Sequence, residues 1–307
     1  MRKRLFLLGG SGFIGQSLVR GLKETGARHK YQVVIYDPKP PRFFQPDLYL
    51  RGRIEAAEKL RRAVKPGDIL IHLVHTTIPS DSMDAPGREA KENFEPTVRL
   101  IESLKEKRIA GLIYFSTGGT IYGEPKPRKP ILEDAAPKPN SFYALAKLLM
   151  EDAVKMAGRL GWFKYLILRP SNPFGPFQEE LNRHGSVGKI FQALSRNEKF
   201  VIFGKGNTIR DFIYIDDLIS ALVLLMGKEE WNQVFNLGSG KGTSLRELIR
   251  LCEKASGKRL KKIYQPIRKT DLKYNVLDCS RLRRLGWKPE TDLEPGLKKT
   301  WKYFKAK

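Results

Sequence analysis

Tyr143 and Lys147 stand four residues apart in SFYALAKLLMEDA. On a helix, positions i and i+4 share a face. An ammonium beside a phenol favours the phenolate and lowers its pKa from about 10. A tyrosine tuned in this way can act as a base near neutral pH. The pair by itself also fits a surface tyrosine beside a solvated lysine. A second group with chemical potential lies in FSTGGTIYG, residues 115–123. Ser116, Thr117 and Thr120 surround Gly118-Gly119, just after the apolar run Leu112–Phe115. Three hydroxyls at a strand end are either turn chemistry or one half of an active site.

A third group is the turn in LFLLGGSGFIGQSLV, where Gly9, Gly12 and Gly15 are spaced G-x-x-G-x-x-G. Gly9 permits a tight turn, Gly12 lets the backbone approach a pyrophosphate, and Gly15 lets the following helix pack close. The helix N-terminus at Phe13 and Ile14 supplies amide donors and a positive dipole end. Asp37 closes the next apolar run in VVIYDPKP, twenty-two positions after Gly15. A carboxylate there accepts from ribose hydroxyls and repels a 2′-phosphate, which favours NAD over NADP. Lys39 and Arg42 nearby keep NADP open, and an aspartate opening a turn before Pro38 is the plainer alternative. Bound oxidised nicotinamide, itself positive, would lower the Tyr143 pKa further.

These residues need a scaffold, and the pattern supplies one. Strand-like runs at Leu5–Leu8, Val33–Tyr36, Ile69–Val74, Leu112–Phe115 and Tyr165–Leu168 alternate with helical patterns at Phe13–Leu22, Thr97–Lys107 and Tyr143–Ala157. That alternation predicts an α/β fold, a doubly wound parallel sheet buried on both faces. After Pro170 glycine and proline cluster in RPSNPFGPF and the rhythm fades. Short strands return at Ile213–Ile215 and Val234–Phe235, and surface helices at Glu247–Glu253 and Ser280–Leu285.

The 307 residues are 41% hydrophobic, which suits a globular chain with a sizeable core. No stretch reaches the roughly 18–20 apolar residues of a membrane span. The basic start MRKR precedes only a four-residue apolar run, too short for a signal h-region, so a first strand is expected. Cys252 and Cys279 give neither a disulfide framework nor metal spacing, and a reducing cytoplasm fits. The net charge of +24 is spread over RKR 2–4, KEKR 105–108, KRLKK 258–262 and RLRR 281–284, with no single block. The simplest reading is a basic, solvated surface, with a polyanion partner as the alternative. No basic motif interleaved with aromatics supports nucleic-acid binding.

Together these residues resemble the extended short-chain dehydrogenase/reductase family, within it the NAD-dependent sugar-nucleotide epimerases and dehydratases. The likeness runs through HLVHTT at 72–77, ENFEPT at 92–97, LRPSNPFGP at 168–176, IRDFIYIDDL at 209–218, FNLGSGKGTSLREL at 235–248 and LDCSRLRRLGWKP at 277–289. It implies a Rossmann-type NAD domain over residues 1–172, with 211–237 returning to it. It also implies a smaller, mostly C-terminal substrate-binding lobe from 173–210 and 238–307. By resemblance, Gly9, Gly12, Gly15 and Asp37 hold NAD, while Asn93 and Lys147 touch its nicotinamide side. Tyr143 is the base. Asn172, Arg210 and Arg268 bind the diphosphate of a UDP-sugar, and Phe200 to Ile202 pass along the uracil. Helices around 94–108 and 141–157 form a homodimer interface.

Three departures stand out. Arg53 occupies a place where resembling members carry an aspartate that reads the adenine. Pro96 replaces a glycine in ENFEPT. The expected catalytic Ser or Thr falls at Gly118. Thr117 is favoured to supply the missing hydroxyl, then Thr120, then Ser116, because a Gly-Gly turn can break strand alternation. The acid–base pair of a 4,6-dehydratase falls on Gly119 and Thr120, so dehydration is not expected. The resemblance implies 4-epimerisation of a UDP-hexose through a 4-keto intermediate, with another nucleotide-sugar oxidoreductase or decarboxylase, or a nucleic-acid-binding protein on a dehydrogenase scaffold, as the alternatives. Near Asn275 the family gates the sugar 2-position, so its middling size leaves N-acetyl sugars open.

Overall fold

The apolar runs of the first half become strands, whereas Leu222–Met226 lies in the helix Ile215–Lys228. In chain order the strands are β1 (Lys3–Leu8), β2 (Tyr31–Asp37), β3 (Leu48–Arg51), β4 (Ile69–His72), β5 (Gly111–Phe115), β6 (Tyr165–Pro170), β7 (Asn172–Phe174), β8 (Lys199–Phe203), β9 (Ile209–Tyr214), β10 (Gln233–Leu237), β11 (Gly242–Ser244), β12 (Lys261–Gln265) and β13 (Tyr274–Asn275). They come from a computed structural model that describes residues 2–79, 81–178, 185–268 and 271–305. Contacts divide the chain into two units.

The first unit comprises Met1–Thr117, Pro139–Arg169 and Leu222–Phe235. Its sheet has seven strands in the order β10-β6-β5-β4-β1-β2-β3. The pairs from β6 through β3 run parallel, as expected for strands buried on both faces. On one face Phe6, Val34, Leu70, Leu112 and Ile167 pack with Leu100, Met150 and Val154 of two helices, Glu95–Leu104 and Phe142–Arg159. Burying each such side chain contributes about 1.5–3 kcal/mol. Arg169, at the end of β6, forks onto Glu151 of the longer helix at 2.9 and 2.6 Å, and both side chains are buried.

Two local features of this unit place later chemistry. Ser141 caps the helix Phe142–Arg159, its Oγ accepting from the Ala144 amide at 3.2 Å. The cap puts Tyr143 in the first turn and Lys147 one turn on. The segment before Glu95–Leu104 is a π-helical turn, Glu89–Phe94. Pro96 follows it and has no N–H to give back to the preceding turn. The wide turn brings Glu89 and Asn93 together, with Asn93 Nδ2 donating to Glu89 Oε2 at 3.1 Å.

The second unit comprises Gly118–Lys138, Pro170–Ala221 and Asn236–Lys307. The sequence reading gave 118–138 and 211–221 to the first domain, whereas contacts group both with the second. The reason is visible in the bonds. Ile131 bridges Leu277, and Tyr122 Oη donates to Asn236 Oδ1 at 2.7 Å. Asp211, fully buried, accepts from Ser239 N, Ser239 Oγ, Gly240 N and Leu277 N. Asp217 accepts from the amides of Glu290 and Thr291, both at 3.0 Å. The late motifs IRDFIYIDDL, NLGSGKG and LDCSRLRRLGWKP are thus tied together by two aspartates. Four short strands, β11, β9, β13 and β7, form one sheet here, and β8 pairs with β12 in another.

Candidate active site

The glycine turn fits a dinucleotide. Gly9 has φ 74°, a left-handed conformation that favours glycine. A Cβ on Gly15 would lie 2.4 Å from the Gly10 carbonyl oxygen, so the helix Phe13–Glu24 packs against the turn only with glycine there. Gly12 is the helix N-cap and offers no capping side chain. The first amides, at Phe13 and Ile14, are therefore donors suited to an anion. Asp37 at the end of β2 accepts from Ser11 N at 3.2 Å and Lys39 N at 2.9 Å. Burial raises its carboxyl pKa against those bonds. The phosphate turn itself thereby positions the carboxylate that suits a ribose. Arg53 is exposed, and its carbonyl accepts from Tyr36 Oη at 3.3 Å.

Beyond β4 and β5 lies a buried cluster. Lys147 Nζ donates to the Phe115 carbonyl at 2.8 Å and sits 5.1 Å from the Tyr114 ring and 6.0 Å from the Tyr143 ring. Burial pushes its ammonium down to about 7, against the pull of Glu89 and Glu151. Tyr143 is half-buried, and its pKa is raised by loss of water around the phenol and then by Glu89. This corrects the expectation of a phenol lowered by its lysine. Burial penalises phenolate and ammonium alike, so in the protein alone the phenol keeps its proton.

The other sequence candidates fall into distinct places. Asn93 is buried with its amide committed: Nδ2 donates to Glu89, and Oδ1 accepts from Thr76 N at 2.9 Å. Its role in the structure is to hold the loop after β4. Thr117 is buried, and Ser116 Oγ and Thr120 Oγ1 are buried without hydrogen-bond partners. Gly118 N donates to Pro170 O at 2.7 Å, and its carbonyl accepts from Asn275 Nδ2 at 2.9 Å. Asn275 therefore anchors the residue that stands where a hydroxyl was expected. Asn172 is likewise engaged, donating to the Asp211 carbonyl at 2.8 Å across β7 and β9.

Phe200, Arg210 and Arg268 do meet, in a cavity of about 420 Å³ in the second unit that Lys189, Phe203 and Thr208 also line. The Arg268 guanidinium lies 3.6 Å above the Phe203 ring centre. Arg210 donates to its neighbour's carbonyl, and burial lowers its pKa. Ile202 is not in this cavity. Its buried side chain lines a separate pocket with Lys205, Arg246 and Tyr264.

Sequence profiles add the family. A profile described as the NAD dependent epimerase/dehydratase family matches residues 5–238. The chain belongs to that family. NAD is the cofactor of this epimerase/dehydratase family member, and it is an enzyme of the epimerase type. It is 33% identical to a UDP-glucose 4-epimerase of Mycolicibacterium smegmatis over 99% of both chains. A UDP-glucose 4-epimerase of Thermotoga maritima, solved with UDP-glucose, superposes with a TM-score of 0.90 at 33% identity, covering 99% of both chains. A dTDP-4-dehydro-6-deoxyglucose reductase of Escherichia coli is 28% identical over 99% of this chain and 98% of its own.

The sequence reading of this family member missed His75, Thr77 and Glu89. His75 was part of a quoted motif, HLVHTT, but carried no assigned role. Glu89 sits four before Asn93, a spacing that could have flagged a shared helical face.

His72 gives this enzyme a pH signature. Its Nε2 pairs with Thr97 Oγ1 at 3.0 Å, and burial, then Lys147 and His75, push its pKa to about 3. The folded state keeps it neutral, while the unfolded chain binds a proton near pH 6.5. Its contribution is complete above that value and falls as pH drops toward 3, by about 1.4 kcal/mol per pH unit inside the window. Between about pH 7 and about pH 5, the wild-type unfolding free energy should fall more steeply than that of a His72→Gln variant. Denaturant titrations checked at both values read this directly, and parallel curves would refute it.

Proposed function

We propose that this enzyme 4-epimerises a UDP-hexose through a transient 4-keto sugar, with NAD retained throughout. The Tyr143–Lys147 pair on one face of the helix Phe142–Arg159 carries the reading. When bound, NAD supplies a hydride acceptor that can return the hydride to the same carbon. Tyr143 moves the proton at the sugar 4′-oxygen. Lys147, fixed on the Phe115 carbonyl, stands beside that phenol and would hold the nicotinamide ribose. Thr117 or Thr120 supplies the hydroxyl that Gly118 lacks.

The basic cavity of the second unit supports a nucleoside diphosphate. Planar arginine forks at 210 and 268 suit diphosphate oxygens. β8 pairs only with β12 among the described strands, so the backbone from Phe200 to Ile202 has an open edge for a planar base. Asn172 and Asn275 do not line this cavity; they tie β7 to β9 and hold the Gly118 carbonyl. Asn275 in place of a bulky ring leaves room for a 2-acetamido group, so UDP-N-acetylglucosamine is proposed as a second substrate. Gly119 and Thr120 supply no acid–base pair for dehydration. Likeness to a reductase supplies the alternative reading, in which NAD(P)H exchanges with each turnover.

The same reading makes the enzyme a homodimer. Leu145, Leu149, Met156 and Leu160 form a stripe along the helix Phe142–Arg159, and Val98 adds to it from Glu95–Leu104. Leu149 is 44% and Met156 50% exposed, an apolar patch of the kind a second copy covers.

Two outcomes are expected. Purified protein should hold NAD and interconvert UDP-glucose with UDP-galactose, and Tyr143→Phe should lose about 10²–10⁴-fold in turnover while still holding NAD. A variant with undiminished turnover would sink the role of Tyr143, and turnover only with added NAD(P)H would favour the reductase. Light scattering should give a two-chain mass for wild type and a one-chain mass for Leu149→Glu combined with Met156→Glu. A wild-type monomer would end the dimer proposal.

A further inference from the structure

His75 is a buried imidazole set against a buried carboxylate. Its ring lies edge-on to Tyr143, with centres 4.6 Å apart and planes at 80°. Both ring nitrogens are buried; Nε2 lies 3.2 Å from Glu89 Oε2, while Nδ1 has no hydrogen-bond partner. Buried polar groups are nearly always satisfied, so an unsatisfied one beside the proposed base calls for a functional account.

Glu89 explains the placement. Its carboxylate is buried, accepts from Thr77 Oγ1 and Asn93 Nδ2, and faces His75. Burial works to raise its pKa, but the contacts from His75, Thr77 and Asn93 outweigh it and keep the group ionised. That fixed negative charge acts directly on Tyr143 and opposes phenolate formation. The other charged or titratable groups of the cluster are Lys147 and Glu151 on the helix Phe142–Arg159, Tyr114 on β5 and His72 on β4. His75 touches both the Glu89 carboxylate and the Tyr143 ring.

Resting on the reading of Tyr143 as the base, we propose that His75 is a positioning residue that seats the Tyr143 ring and shields it from the Glu89 carboxylate. It acts through Tyr143. The ring edge fixes the phenol's orientation, and an N–H turned toward Glu89 takes up the carboxylate's charge. No bond is made or broken at His75 in this role. Without the imidazole, Glu89 would bear on the phenol unopposed, and the base would require higher pH to form.

The variant His75→Phe keeps a ring in place and removes both nitrogens. In NAD-loaded enzyme it should move the acidic limb of the kcat profile up by about one pH unit and lower kcat about tenfold near neutrality, with KM changed less than about threefold. Adding Glu89→Gln removes the charge and should bring the limb back. A ring needed only for packing would leave the profile in place in both variants, and that result overturns the proposal. Retained NAD reports that each variant is folded, and His75→Gln, which keeps a donor for Glu89, should recover most of the loss if His75→Phe proves unfolded. A readout without turnover separates this idea from the epimerase reading. The ¹⁵N resonances of His75, identified by their loss in His75→Phe, should shift on Glu89→Gln, and unmoved resonances would disprove the tie. If wild type turns over no UDP-hexose, the epimerase reading fails, while the resonance test still decides the His75–Glu89 contact.

Discussion

A lysine ammonium taken out of water is the constraint around which the first unit is arranged. Lys147 is 4% exposed, and its Nζ has one carbonyl partner, at the end of β5. Burying a charge is costly unless other groups offset it. Here Glu89 and Glu151 supply opposite charge, and Glu151 is itself pinned by Arg169. The Ser141 cap, the wide turn at Glu89–Phe94 and the parallel register of β4, β5 and β6 all serve to fix these groups. The result is a lysine held near neutrality beside a tyrosine held protonated, a pair whose balance small charges can tip.

The second unit solves a different problem. Its strands are short, so much of its order comes from carboxylates that gather backbone amides. Asp211 and Asp217 together bind amides from three separate places, the Ser239–Gly240 pair, Leu277 and the Glu290–Thr291 pair. The basic cavity is built on that frame. Most of the remaining positive charge sits on exposed side chains, where pairs such as Lys241–Asp292 contribute only about 0–1 kcal/mol each.

How much of this was legible in sequence follows the physics of each signal. The strands of the first unit were readable because burial on both faces makes them continuous apolar runs. Tyr143 and Lys147 were readable because helical spacing alone puts them on one face. β3, half exposed after a proline-rich loop, left no such run. The helices Ser186–Arg196 and Leu293–Lys305 and the strand β12 lie where the pattern is irregular or charged, and were missed. Asn93, Asn172 and Asn275 were read as ligand contacts, but the direction of an amide depends on what folds against it, and all three turn inward to protein partners. The His75–Glu89 contact joins a loop to a π-helical turn, a relation that only tertiary structure reveals.

The central claim is that one carbon of a nucleotide sugar is oxidised and reduced again without the hydride leaving the enzyme. UDP-glucose carrying deuterium at C4, incubated with the purified enzyme and no added cofactor, tests it most directly. The account predicts UDP-galactose with the deuterium still at C4. Loss of the label to solvent, or no epimer at all, would contradict it.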